Sequence, residues 1–99
     1  MFENNTVITI KLASGEELIA KYIKQTEDKD IVIEKPLAMM MSPQGLAFAT
    51  FVPTMNHDGG ITLSKQNIVA VGKTLDKVAK EYFNATSPIK TAAKPNLII

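Results

Sequence analysis

The chain has 99 residues, enough for one domain and too few for two. Eleven basic residues stand against ten acidic ones, so a net charge of +1 gives no chain-wide attraction to phosphate, and nucleic-acid contact would need a local cluster. There is no cysteine, which excludes disulfides and thiolate metal sites and fits a reducing compartment.

The start, Met1–Thr6, is polar and acidic, where a secretory signal needs basic residues and then an apolar run. No apolar stretch approaches the ~20 residues of a membrane-spanning helix. A cytoplasmic protein is expected. Thr6–Leu12 alternates strictly, with Ile8, Ile10 and Leu12 inward and Thr9 and Lys11 outward, so a strand is predicted. Ala13-Ser14-Gly15-Glu16 reads as a tight turn. Glu17–Gln25 alternates again, with Leu18, Ala20 and Tyr22 on one face and Ile19, Lys21 and Ile23 on the other. Glu27–Asp30 is a polar turn, and Ile31–Glu34 resumes a strand. Pro36 interrupts or bends that strand, since proline lacks a ladder donor and belongs at an edge or bulge.

Leu37–Met41 and Leu46–Thr54 are predicted to form a hairpin around a type I turn at Ser42-Pro43-Gln44-Gly45. Asn56–Gly60 is a loop. Ile61–Leu63 and Ile68–Val71 are short strands around Ser64–Asn67. A helix follows over 74–83, with Thr74 as N-cap and Asp76 in its first turn. Leu75, Val78, Ala79, Tyr82 and Phe83 make its apolar stripe. Residues 84–99 read as a tail, in which Leu97-Ile98-Ile99 could dock. Residues 1–83 then make a single domain. About five strands and one short helix cannot build two full layers, so the expected fold is mainly β: a strongly bent, five-stranded antiparallel open barrel with one C-terminal helix.

Leu46–Val52 is apolar on both faces, and its partner carries Met39, Met40 and Met41 in succession. An antiparallel strand with one wet face should alternate. Either the helix covers the second face, or a neighbouring subunit does so by pairing with an exposed edge. In the second case the interface is expected at Met39, Met40, Met41, Phe48, Phe51, Val52, Ile68 and Val69.

Several motifs carry less. Gly72-Lys73-Thr74 before a helix lacks the earlier glycine of a phosphate-binding loop, since Asn67 stands there. His57, the single histidine, sits beside Asp58 in a glycine-rich loop and reads as a solvated residue. Glu27, Asp28 and Asp30 do not have calcium-loop spacing. Asn4-Asn5-Thr6 and Asn84-Ala85-Thr86 match glycosylation sequons, which mean little without a secretory signal. No convergent constellation points to an enzyme, a metal or a cofactor.

Val7–Glu34 resembles the Sm-like family of ring-forming, RNA-associated proteins, which includes Hfq. The resemblance lies in the alternating strand ending at Leu12, then Ser14-Gly15, the long second strand, the short acidic turn and Ile31–Ile33. Gly15, Leu18, Ala20, Tyr22, Asp30 and Ile31 match the spacing of the family's first motif. Leu63-Ser64-Lys65-Gln66-Asn67-Ile68 stands where its second motif would. The later hairpin, the Asn56–Gly60 loop and the trailing helix are similar to small Sm-like proteins of marine phages, which implies the cytoplasm of an infected host. The family's small helix usually comes first; here it comes last.

The resemblance implies a homo-oligomeric ring of five to seven subunits that binds single-stranded RNA. Carried over by position, the RNA contacts are Thr26, Lys29 and Asp30 in one loop and Ser64 and Lys65 in the other. None is a stacking aromatic, and Ser64-Lys65 replaces an Arg-Gly pair, so the guanidinium fork is missing. Ringed by symmetry, Lys29 and Lys65 would make a positive belt, opposed by Asp28 and Asp30. The alternative is a phage structural or scaffold protein without nucleic-acid affinity.

Overall fold

A computed structural model describes residues 1–86. Six strands precede one helix: β1 Val7–Leu12, β2 Glu17–Gln25, β3 Ile31–Ser42, β4 Gly45–Thr50, β5 Ile61–Leu63, β6 Ile68–Lys73 and α1 Asp76–Thr86. The hydrogen-bonded path is β4-β3-β2-β1-β6, all antiparallel, and β5 also pairs β3. β4 pairs the end of β3, from Leu37 to Ser42, and β5 pairs its beginning, from Ile31 to Ile33. The two are therefore halves of one strand lane, separated by the excursion 51–60. Five lanes result, as expected from the sequence.

The inner face carries the main core. Ile8, Ile10, Leu12, Leu18, Ala20, Tyr22, Ile31, Ile33 and Ile61 are buried together there. Each large aliphatic side chain so buried contributes about 1.5–3 kcal/mol. On the outer face Val7 and Ile19 are buried beneath Tyr82 of α1, with Leu37, Met39, Phe48, Val78 and Ala79 packed around them. Strict alternation in β1 and β2 separates the two cores.

β3 stays continuous across Pro36 because a bulge absorbs it. Ile19 faces Leu37 and Lys21 faces Glu34, so Lys35 and Pro36 together oppose Ala20. Lys35 takes a positive φ of 50°. Its N–H donates to the His57 carbonyl at 2.8 Å, and its carbonyl accepts from the Tyr82 hydroxyl at 2.6 Å. The backbone groups of the bulge are thus paired by the excursion and by the helix. Burial, reinforced by the charge of Glu34, pushes the Tyr82 hydroxyl far above the usual tyrosine range, against a smaller opposite pull from the Lys21 backbone.

Several expectations need correction. β4 ends at Thr50 rather than Thr54, because the chain bends at Phe51 and Val52 takes a φ of 49°. Gly72 and Lys73 belong to β6, not to a loop, which removes the phosphate-loop reading. The helix runs Asp76–Thr86 rather than 74–83. Thr74 is not its N-cap: the threonine is buried and its hydroxyl pairs with that of Thr9 at 2.8 Å. The Leu75 carbonyl accepts from Val78 and Ala79 instead, so Leu75 opens the helix and is 73% exposed. Residues 84–86 are helical, and the expected docking of Leu97-Ile98-Ile99 lies outside the described residues.

Tyr82→Phe strips the bulge carbonyl of its donor and is expected to lower stability by about 1–3 kcal/mol in urea denaturation at neutral pH. The raised folded-state value also sets a pH dependence. The contribution is complete below the unfolded tyrosine value of about 10 and is lost as pH climbs beyond it. The stability gap between wild type and Tyr82→Phe therefore narrows above pH ~10; a constant gap would contradict this role.

Candidate assembly edges and nucleic-acid loops

Two parts of the molecule collect the residues singled out by the sequence. The first is the junction of the β2–β3 loop with the turn after β5. The Thr26 N–H donates to the Asp30 carbonyl at 2.9 Å, and its hydroxyl accepts from the Asp30 N–H at 3.0 Å. That pairing closes the loop on itself, and Lys29 completes it at a φ of 75°. The Ser64 hydroxyl accepts from the Gln66 N–H at 3.3 Å and starts the 3-10 turn Lys65–Asn67.

The two loops are then tied across 35 residues of sequence. The Lys65 N–H donates to Asp30 Oδ1 at 2.9 Å, and Lys65 Nζ donates to the Asp28 carbonyl at 2.7 Å. Thr26, Lys29, Asp30, Ser64 and Lys65 thus stand in one constellation. Its chemistry is partly spent internally. Asp30 holds a backbone N–H, and the Lys65 ammonium is turned back onto a carbonyl. The exposed Lys29 ammonium engages no partner among the described residues. Asp28, which supplies the second tether, acts through its backbone, so no side-chain pattern could have announced it.

The second part is the pair of strands at the ends of the sheet path. Among the described residues, β4 has a partner only in β3, and β6 only in β1. Each therefore presents one free lateral edge. Of the residues proposed for an interface, Met39 and Phe48 pack around Val7, Ile19 and Tyr82, and Phe51 and Ile68 pack against the inner core. Val52 is half-buried at the bend, with its carbonyl 2.9 Å from His57 Nε2. Met40 and Met41 are 54% and 78% exposed, and Val69 is 67% exposed on β6.

Leu46, opposite Met41, is 53% exposed and was not among the expected interface residues. Both sources of cover weighed from the sequence therefore bear on this hairpin. The helix shelters its base, and its tip remains open.

His57 is half-buried rather than solvated. Its ring meets Val52 and its carbonyl receives Lys35, so it pins the excursion to the bulge. The ion pair between Lys35 and Asp58, at 3.8 Å and exposed, adds little. No group of three metal-ligating side chains exists among the described residues. No helix there is long and apolar enough to cross a membrane.

No known protein family's model matches the chain, and no curated protein matches it. Among solved structures it is similar to a heptameric archaeal Sm protein, with a TM-score of 0.48 and 8% identity. The match covers 72% of this chain and 88% of that one.

Asp30→Ala is expected to release the tether between the loops at a cost of about 1 kcal/mol, a value reduced by solvent exposure. Lys29→Asn is expected to stabilise by up to about 1 kcal/mol, because asparagine tolerates the left-handed region better than lysine. Urea denaturation of both variants reads the two effects, which have opposite signs.

Proposed function

We propose that the protein is a non-enzymatic, Sm-like module that assembles head to tail into a ring of five to seven copies. The observation that carries this reading is the pair of free antiparallel edges, the lane shared by β4 and β5 and the strand β6, at opposite ends of one bent sheet. An edge strand is a template for another strand. When the two edges of one subunit differ, pairing unlike edges is heterologous and closes into a ring if the rotation allows. Exposed Met40, Met41 and Leu46 beside one edge, and Val69 on the other, supply apolar surface to bury. The match of Val7–Glu34 and Leu63–Ile68 to the Sm-like motifs supports the same reading.

The ring's proposed ligand is single-stranded RNA. The supporting observation is the joining of Thr26, Lys29, Asp30, Ser64 and Lys65 into one constellation, with Lys29 free to meet phosphate. Symmetry would repeat that ammonium once per subunit around the assembly. Against it stands the carboxylate of Asp30 and the inward turn of Lys65, which favour the rival reading of a scaffold without nucleic-acid affinity.

Native mass spectrometry at micromolar concentration is expected to give a closed assembly of five to seven copies; a species of 10.8 kDa alone would overturn the ring. Fluorescence anisotropy with labelled single-stranded RNA is expected to show binding that weakens as salt rises. Lys29→Ala should remove most of that signal and Lys65→Ala less of it. No binding at low salt, in an assembled protein, would leave the scaffold.

A further inference from the structure

We propose that the excursion 51–60 is a latched strap. It closes the gap between β4 and β5 in their shared lane, it opens as one unit without unfolding the barrel, and the His57 ring is its latch. The strap belongs to a single copy and works whether or not copies assemble.

The strand register makes the strap longer than the sheet requires. Thr50 stands opposite Leu37, and Ile61 stands opposite Ile33. A continuous lane would need three residues between them, opposite Glu34, Lys35 and Pro36, and the chain has ten. Those three residues of β3 have no strand partner on that side among the described residues. An unpaired stretch of strand is a template for a foreign one, and a loop laid over it removes the template. The cover is made at Lys35, whose N–H donates to the His57 carbonyl at 2.8 Å.

The strap is anchored at its ends and at one place between them. Phe51 packs against the inner core, and Ile61 is buried in it. From 53 to 60 every residue is exposed except His57, which is half-buried. Its ring Nε2 lies 2.9 Å from the Val52 carbonyl, and since a carbonyl only accepts, the ring nitrogen is the donor. The same carbonyl accepts from the Met55 N–H at 3.0 Å. Lys35, Pro36, Leu37, His57, Asp58 and Thr86 line a cleft of about 300 Å³, so the space between the strap, the bulge and the end of α1 is not packed.

Backbone strain works against the closed form. At one end Gly60 takes a φ of 86°, which suits glycine. At the other end Val52 takes 49°, where a β-branched residue is an outlier. Lys35, beneath the strap, is at 50°. Residues in such sparsely populated regions persist only where their surroundings hold them. His57 holds both: its ring bonds the Val52 carbonyl and its own carbonyl bonds the Lys35 N–H. Strain relief therefore favours an open strap, and the two His57 bonds favour a closed one. An exposed segment with few packed side chains opens locally at a fraction of the cost of global unfolding.

Amide hydrogen exchange of the full chain, followed by NMR, tests the strap. The Lys35, Met55 and Gly59 amides bond the carbonyls of His57, Val52 and Asn56. All three are expected to exchange through one shared opening, faster than the ladder amides of β1 and β2. That opening should respond little to sub-denaturing urea, because it exposes little surface. Exchange at the three amides that rises with urea as steeply as in β1 and β2 would mean that only global unfolding releases them, and would overturn the strap.

Three variants test the latch and the strain. His57→Phe keeps a ring but removes the donor, and should raise the opening constant at all three amides by about tenfold. His57→Gln restores an N–H donor and should recover most of the protection. Val52→Gly relieves the strained φ and should lower the opening constant by about threefold. Wild-type exchange in His57→Phe, or amides that respond separately, would overturn the latch. Faster opening in Val52→Gly would overturn the strain. A His57→Phe chain that fails to fold would show that the barrel does not survive without the strap, which contradicts independent opening.

Discussion

A backbone group taken out of the sheet ladder must find another partner, and at half-buried Lys35 that requirement fastens distant parts of the molecule together. The bulge that accommodates Pro36 takes a peptide N–H and C=O out of the sheet ladder. One is met by His57 in the excursion and the other by Tyr82 in the helix. Three segments that are distant in sequence are thereby fastened to one point. Tyr82 serves twice, because its ring fills the outer core while its hydroxyl caps the carbonyl. The excursion 51–60 acquires a defined path for the same reason, and the lane shared by β4 and β5 is divided at the level of the bulge.

The helix is short, and its length decides what remains exposed. Eleven residues cover the outer face over Val7, Ile19 and Leu37 but do not reach the tip of the β3–β4 hairpin. Apolar surface left open next to an unpaired strand edge has two sources of stabilisation in self-assembly: main-chain hydrogen bonds and side-chain burial.

The loop constellation follows different physics. Its members are polar and largely exposed, and they are held by hydrogen bonds within each turn and by two more that join the turns. A lysine whose ammonium bonds a carbonyl retains its charge but loses freedom to reach a ligand. Lys65 is in that position and Lys29 is not. The electrostatic contribution of the two residues to any phosphate contact is therefore unequal, although their sequence context treats them alike.

Period-two alternation determined β1, β2 and the beginning of β3, since solvent on one side and core on the other leave a strict pattern in Ile8, Ile10, Leu18, Ala20, Ile31 and Ile33. Turn chemistry at Gly15 and Gly45 was equally legible, because a positive φ there selects glycine. Pro36 signalled a bulge through its missing donor, but not which groups would repair it. The helix start was misplaced because Thr74 suits an N-cap by residue type, whereas its hydroxyl was claimed by Thr9, 65 residues away. The joining of Asp30 to Lys65, the clamp from Tyr82 to Lys35 and the exposure of Leu46 depend on which strands lie side by side. Local sequence records which way a residue points; only the packed chain decides what stands opposite it.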